Sequence, residues 1–361
     1  MSFGATPLLE AVGRGDRAAI VALLDAGADI NERSDWWAGS FGVLDSSPPE
    51  LAPFLIEHGA VLDAHAAARL GMIDELRELV EGNPACVHAR GGDGKLPLHF
   101  APTTEIADLL LACGADIDAE DIDHESTPAQ HLVHDHNAVA YHLVRSGCRT
   151  DILLVSALGD APRVRAHLQA APGNIRMRVN DTWFPMRNPR AGGKIYRWTI
   201  GWNRCAHTAA RENGHVELYG EIMEVSPPDL ALCIACEVGD GARVTAILRE
   251  HPSIASQLAE PELLQLSAMA ELGNRGAALR MLEAGFPADT RGQHGQTALH
   301  WAAFHGDAEL AGALIDHGVS VDAVESQFGG TPGAWARHGR ENSWFRERGD
   351  YGNTLRVLSG P

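Results

Sequence analysis

The stretch from Gly295 to Asp322 constrains the fold of this chain more than any other. Its sequence, GQTALHWAAFHGDAELAGALIDHGVSVD, predicts two short helices with a turn at Gly306 and a stop at Gly318. The apolar residues of each helix recur at three- and four-residue spacing, which places them on one face. Because helices this short cannot bury that face alone, we expect similar pairs to stack along the chain.

Ten positions of this stretch follow a recognisable pattern of glycine, threonine, leucine-histidine, alanine and apolar residues. They are Gly295, Thr297, Leu299, His300, Ala302, Gly306, Leu314, Ile315, Gly318 and Asp322. In this pattern the stretch resembles the ankyrin repeat. The resemblance implies an all-α solenoid. The first helix of each pair and the loops that connect one pair to the next line a concave face that usually binds ligands. These connecting loops are called fingers below.

Further copies of the helix pair lie on both sides of this stretch. Residues 6–31 form a well-matched copy, and Thr331 begins another 34 residues after Thr297, close to the usual period of about 33. The copies are irregular around residues 32–50 and 338–352. We therefore predict one solenoid of about eleven units over residues 1–361.

Residues 176–204 break the period. Aromatic and β-branched residues flank a turn-forming sequence at 188–193, which predicts an enlarged β-hairpin with strands near 177–184 and 194–200. The segment has seven basic residues and one acidic residue, a charge of +6 in a chain of −19. Such a hairpin is expected to overhang the concave face as a cationic flap.

Two stretches, residues 121–130 and 184–202, are also similar to a subgroup of bacterial ankyrin proteins that carry an inserted hairpin. The sequences are DIDHESTPAQ and FPMRNPRAGGKIYRWTIGW. This similarity implies no particular activity.

Composition narrows the classes of partner and compartment. The 48 acidic and 29 basic residues should repel nucleic acid and anionic lipid. No apolar run approaches the roughly 20 residues that cross a bilayer, and the N-terminus lacks a signal-peptide pattern. The six cysteines mostly fall at small apolar repeat positions, which indicates reduced thiols and a cytoplasmic protein.

Four residues at one finger are candidates for acid-base catalysis: Asp121, Asp123, His124 and Glu125. Three carboxylates and an imidazole that converge at the rim of a concave face could transfer protons. The alternative is that this acidic finger is simply solvated.

The candidate ligand-binding residues fall in two groups. Those in the predicted flap are Arg187, Arg190, Tyr196, Arg197 and Trp198; those elsewhere are His99, His131, His294, Trp301 and Trp335. Arginines in the flap could hold a carboxylate or phosphate. Alternatively they pair with acidic helices and brace the flap, and the histidine of each leucine-histidine pair joins neighbouring fingers by hydrogen bonds.

Metal-binding patterns are weak. His131 and His134 share a helix face with His136 nearby, but no further cysteine or histidine pair completes a known spacing. Cys233 and Cys236 have the spacing of a redox pair but fall inside a predicted helix, where packing is favoured. We expect no metal and no cofactor.

Two hypotheses on function follow. The first is a binding protein that recognises a partner protein or peptide on its concave face. The second is a small-molecule-binding protein or enzyme, in which the flap arginines hold an anionic substrate beside the acidic finger. The sequence does not decide whether the chain is an enzyme, and fold alone does not establish function.

Overall fold

Helices account for the regular structure of the computed structural model, which describes residues 4–360. No β-sheet forms within these residues, where strand-like pairing is limited to a single bridge between Arg178 and Cys205. The contacts divide the chain into two units, the first ending at Leu218 and the second beginning at Tyr219. The single solenoid over residues 1–361 stays a prediction.

The described residues contain 22 α-helices. The first unit contains α1 Pro7–Gly13, α2 Arg17–Asp25, α3 Val43–Ser46, α4 Ala52–Glu57, α5 Ala64–Arg69, α6 Ile73–Gly82, α7 Thr104–Ala112, α8 Pro128–Leu132, α9 Asn137–Arg145, α10 Ile152–Ala157, α11 Ala161–Ala170 and α12 Ala206–Glu212. The boundary between the units falls in α13 Val216–Glu224. The second unit contains α14 Pro228–Val238, α15 Gly241–Glu250, α16 Glu260–Leu263, α17 Gln265–Glu271, α18 Arg275–Glu283, α19 Ala298–Phe304, α20 Ala308–Asp316, α21 Pro332–Asn342 and α22 Tyr351–Ser359.

Shorter helical turns lie between these helices. The 3₁₀ turns are Pro49–Leu51, Pro84–His88, Gly92–Gly94, Pro97–Phe100, Pro172–Arg176, Ile254–Ser256 and Arg346–Arg348, and Arg197–Gly201 forms a π-helical turn.

The helix pair α19 and α20 has the predicted structure. Thr297 caps α19, and its backbone N–H donates to His300 Nδ1 at 3.1 Å. The turn passes through Gly306 with a φ of +69°, and Asp307 then caps α20 by accepting the N–H of Leu310 at 3.1 Å. Since α19 packs against both α17 and α21, its apolar face is buried by neighbouring pairs, as the argument from stacking predicts.

The predicted β-hairpin at residues 176–204 is wrong. Asn180 turns the first predicted strand, because its Oδ1 accepts the N–H groups of Thr182 and Trp183, each at 3.1 Å. The second predicted strand is helical, since the N–H of Thr199 donates to the carbonyl of Ile195 at 3.1 Å. The segment is an irregular loop, called the inserted loop below.

Two backbone N–H groups of the inserted loop donate hydrogen bonds to residues outside the loop, rather than across a hairpin. The N–H of Gly192 donates to the carbonyl of Asp123 at 2.9 Å, and the N–H of Ile195 donates to Ser126 Oγ at 3.1 Å. Both partners belong to the fingertip of residues 121–126. Among the aromatic and β-branched residues that suggested strands, Tyr196 is completely buried and Val179 almost so, whereas Trp198 is exposed.

No helix among residues 4–360 combines the length and the apolar character required to cross a membrane.

Candidate functional site

Asp121 organises the fingertip of the first unit. Its Oδ2 accepts the N–H of His124 at 2.9 Å, and its Oδ1 accepts the N–H of Ser126 at 2.8 Å. The same Oδ1 lies 3.3 Å from Nε2 of His131, at the end of α8, and the carboxylate is fully buried. These bonds fold the finger back on itself and turn its other side chains toward the inserted loop.

The inserted loop lies directly against this fingertip. His124 Nδ1 donates to the carbonyl of Gly193 at 2.9 Å, and the Gly192 N–H also approaches Asp123 Oδ1 at 3.2 Å. Burial is the largest effect on the pKa of Asp123 and raises it. The structure thus brings the candidate acid-base residues together, but with the loop as their immediate partner.

Glu125 binds the inserted loop at Arg187 and Asn188. Its Oε2 accepts both the backbone N–H and Nε of Arg187 at 3.0 Å, and its Oε1 accepts the N–H of Asn188 at 2.9 Å. Arg187 also pairs with Glu120. Burial alone would raise the pKa of Glu125, but these bonds from Arg187 and Asn188 lower it.

The other candidate arginines are engaged as well. The guanidinium of Arg190 lies over the ring of Trp37, 4.8 Å from its centre. Arg197 pairs with Asp181 at 2.5 Å and lies 4.2 Å from the ring centre of Trp202. These contacts favour the alternative in which the arginines brace the loop rather than hold a substrate.

The two aromatic candidates of the loop differ in accessibility. Tyr196 is fully buried and donates its hydroxyl to Asp151 at 2.8 Å. Trp198 is 58% exposed, with its ring centre 5.0 Å from that of His124. Of the two, only Trp198 could contact a ligand from solution.

His99 and His131 lie side by side beneath the fingertip, with ring centres 5.1 Å apart. His99 Nδ1 accepts the N–H of Leu96 at 3.1 Å, and its Nε2 donates to the carbonyl of Ser126 at 3.2 Å. Burial lowers the pKa of His99 to about 3 and that of His131 to about 4, so both rings are neutral at pH 7. The bonds of His99 are those expected of a histidine that joins two fingers.

A cavity of about 470 Å³ in the second unit has a different chemistry. We call it the aromatic pocket; it is lined by Trp301, Phe304, Phe328, Gly330, Ala334, Trp335, His338 and Trp344. Six of these eight residues carry aromatic rings. Its walls come from α19, α21, the finger between α20 and α21, and the turn after α21.

The aromatic rings of the pocket pack against one another at steep angles. The ring centre of Trp335 lies 4.9 Å from that of Trp301 at an angle of 87°, and the ring centre of Trp344 lies 5.4 Å from that of Phe304 at 61°. Such edge-to-face packing fixes the walls of the pocket. Yet Trp344 is 58% exposed and Phe328 is 76% exposed, so part of this apolar surface faces solvent.

Comparison with protein families gives the repeats a name. The family model of the ankyrin repeat matches residues 3–35 and 294–326. The chain contains ankyrin repeats at these two stretches. A search of curated proteins found no significant match.

The two matched ankyrin repeats correspond to helix pairs of the structure. The first contains α1 and α2, and the second contains α19 and α20 with the candidates His294 and Trp301. His294 lies in a finger, where its carbonyl accepts the N–H of Ser326 at 2.7 Å, and it does not line the aromatic pocket. Trp301 and Trp335 do line it, so the structure places these two candidates in one pocket.

Several residues that line the pocket were not sequence candidates, among them the aromatic residues Phe304, Phe328 and Trp344. Phe304 follows the apolar pattern of α19, which conceals any second role. Phe328 and Trp344 lie in a finger and in a lengthened turn, where periodicity gives no orientation. Their one signal is local composition, because large aromatic residues are unusual in exposed connections.

Proposed function

We propose that this protein binds a partner protein and that the aromatic pocket receives a bulky apolar side chain of that partner. One observation carries the proposal: six aromatic rings surround a cavity of about 470 Å³, and two of them, Trp344 and Phe328, are largely exposed. We place the contact on the concave face that the family resemblance implies.

The energetics favour an apolar guest. Burying a side chain the size of leucine or phenylalanine contributes about 1.5–3 kcal/mol. Tryptophan and other aromatic residues dominate the binding energy of protein interfaces because they bury much surface at little cost in conformational entropy. A cavity in the range of roughly 300–1,000 Å³ accommodates one or two such side chains.

The family supplies independent support. Ankyrin repeats are generally protein-interaction modules, and the matched repeat at residues 294–326 contributes Trp301 and Phe304 to the pocket. The partner is therefore expected to present an exposed apolar anchor to α19 and α21.

We do not adopt the alternative of an enzyme with an anionic substrate beneath the inserted loop. Arg187 is paired with Glu120 and Glu125, and Arg197 with Asp181. A substrate anion would have to displace these carboxylates, and the arginines carry no observation in its favour.

The proposal is tested by selection from a library of random displayed peptides with the full-length protein as bait. Wild-type protein should enrich peptides with a bulky apolar residue at one fixed position. Phe328→Ser should weaken the best peptide by at least ~10-fold, because a buried anchor loses one wall of its pocket.

Trp198→Ala is the matched control, since Trp198 and Trp344 are each 58% exposed but only Trp344 lines the pocket. Trp344→Ala should reduce binding while Trp198→Ala leaves it unchanged. Circular dichroism establishes that each variant remains folded. Peptides that bind Phe328→Ser as tightly as wild type, or a selection without any apolar consensus, would refute the proposal.

A further inference from the structure

Three potential metal ligands converge beneath the fingertip of the first unit. His99 comes from the turn Pro97–Phe100, Asp121 from the finger and His131 from α8. One ligating atom of each lies within 4.8 Å of the ligating atoms of the other two. The three residues are far apart in sequence, so the fold alone brings them together.

The spacing of two of these atoms suits a metal centre. Asp121 Oδ1 and His131 Nε2 are 3.3 Å apart. With metal–ligand bonds of about 2.0–2.1 Å, neighbouring ligands of a tetrahedral zinc site lie about 3.3–3.4 Å apart. A single ion can therefore contact both atoms without moving either element.

His131 Nε2 is a second, independent observation. The imidazole is only 7% exposed, and within the described part of the chain Nε2 makes no hydrogen bond, although Asp121 is close. Proximity is insufficient because the ring nitrogen must also point at its acceptor. A buried polar atom without a partner is unfavourable in a folded protein, and coordination of a cation would satisfy it.

A change of tautomer can make Nε2 of His99 available to a metal. In the metal-free arrangement Nδ1 accepts the N–H of Leu96, and Nε2 donates to Ser126. The carbonyl of Leu96 lies 3.3 Å from Nδ1 and can accept a hydrogen bond from Nδ1–H in the other tautomer. Nε2 would then present a lone pair, and metal-bound histidines commonly donate their other N–H to a backbone carbonyl in this way.

The repeat that follows α20 provides an internal comparison. There Glu325 accepts the N–H groups of residues three and five positions later, as Asp121 does, and His300 makes the same two kinds of backbone bond as His99. The position of His131, four residues after the threonine cap, is occupied by Trp335. The His300 and Trp335 ring centres lie 5.3 Å apart, close to the 5.1 Å between His99 and His131.

This comparison shows that the repeat does not require an imidazole at the position of His131. A tryptophan fits the same place and packs on the same neighbouring histidine, but an indole N–H cannot coordinate a metal. The side chain that distinguishes the fingertip of the first unit is therefore His131, which could ligate an ion.

We propose that His99, Asp121 and His131 bind a divalent transition-metal ion, and that Zn²⁺ is the ion whose ligand preferences they fit best. Two imidazoles and one carboxylate are a donor set that zinc and other imidazole-binding metals accept, whereas calcium and magnesium prefer oxygen alone. The ion fixes the fingertip against α8, beside the inserted loop. The site is separate from the aromatic pocket and does not depend on the proposed function.

The test is calorimetric titration of the chelator-treated, tag-free full-length protein with Zn²⁺ alone. We expect one tight site, and His131→Trp should weaken it by at least ~100-fold, since loss of a ligand exceeds the loss caused by removing a supporting hydrogen bond. His131→Trp copies the repeat that contains Trp335 and so should preserve the fold. His134→Ala is the control, because His134 is an exposed histidine outside the cluster.

X-ray absorption of the wild-type protein with one equivalent of Zn²⁺ gives a measurement that needs no variant. Two imidazole ligands are expected. Absence of a tight site, tight binding that survives His131→Trp, or a spectrum with fewer than two imidazoles would each overturn the proposal.

Discussion

The side chain of Tyr196 illustrates how the inserted loop is held. Its hydroxyl donates to Asp151 Oδ2 at 2.8 Å, and the other oxygen of Asp151 caps α10 through the N–H groups of Leu153 and Leu154. The ring is fully buried. A residue that the sequence offers as a ligand contact therefore connects the loop to a helix cap.

Tyr196→Phe should lower the free energy of unfolding by about 1.5–3 kcal/mol, because a hydrogen bond to an ionised carboxylate is lost inside the protein. Urea denaturation measures the change. Tyr141→Phe is the control, since Tyr141 is 38% exposed and its substitution should change stability by less than about 0.5 kcal/mol. Equal stabilities for Tyr196→Phe and wild type would contradict the assigned role.

The raised pKa of His65 makes the free energy of unfolding depend on pH. Burial alone lowers the pKa of His65, but the hydrogen bond and charge of Asp63, the bond to the Ala89 carbonyl and the charge of Asp45 together raise it. A group with a raised pKa stabilises the folded state fully below its unfolded pKa of about 6.5. That contribution is lost as the pH rises through the pKa of the folded state.

Asp63→Asn should reduce this dependence, because asparagine still caps α5 but carries no charge. The variant should be destabilised more at pH 5.5 than at pH 8.5 relative to wild type, as followed by thermal unfolding. An equal difference at the two pH values would show that the raised pKa is absent.

At the scale of elements, the sequence predicts the helix pairs well and the inserted loop poorly. The helix pair predicted within residues 295–322 is found as α19 and α20, with the predicted turn at Gly306. These elements follow from local periodicity and caps. The loop has none, and its valine, isoleucine and tyrosine content indicates burial as much as strand, so periodicity could not separate the two.

Hydrogen exchange distinguishes this loop from a hairpin. The amides of Gly192 and Ile195 should be protected because they bond to the fingertip, whereas a hairpin would protect alternate amides throughout 177–184 and 194–200. Mass spectrometry or NMR of the exchanging protein provides the data. Alternating protection along both segments would restore the hairpin.

The candidate site was likewise only partly predictable. The sequence placed Asp121, Asp123, His124 and Glu125 together because they are consecutive, and structure adds that His99 and His131 lie beneath them. The sequence could not show that Arg187 would be paired with Glu120 and Glu125, since those partners are more than 60 residues away along the chain. The charged residues of a sequence show that ion pairs can form, but not which residues form them.

At the scale of the whole molecule, the two units offer pockets of opposite character. The groove beside the fingertip is lined mainly by charged residues, among them Arg90, Arg149, Arg187 and Glu120, many of which pair with one another. The pocket of the second unit is aromatic and partly exposed. Charged groups that already neutralise each other gain little from a new partner, whereas exposed apolar rings gain from being covered.

The most direct test of partner binding locates the guest. A peptide from the library selection, with its apolar anchor replaced by the photoreactive residue benzoylphenylalanine, is irradiated with the full-length protein, and the cross-linked residues are identified by mass spectrometry. We predict cross-links within residues 301–344, abolished by excess unmodified peptide. Cross-links confined to the first unit, or scattered over the surface and insensitive to that competitor, would contradict the account.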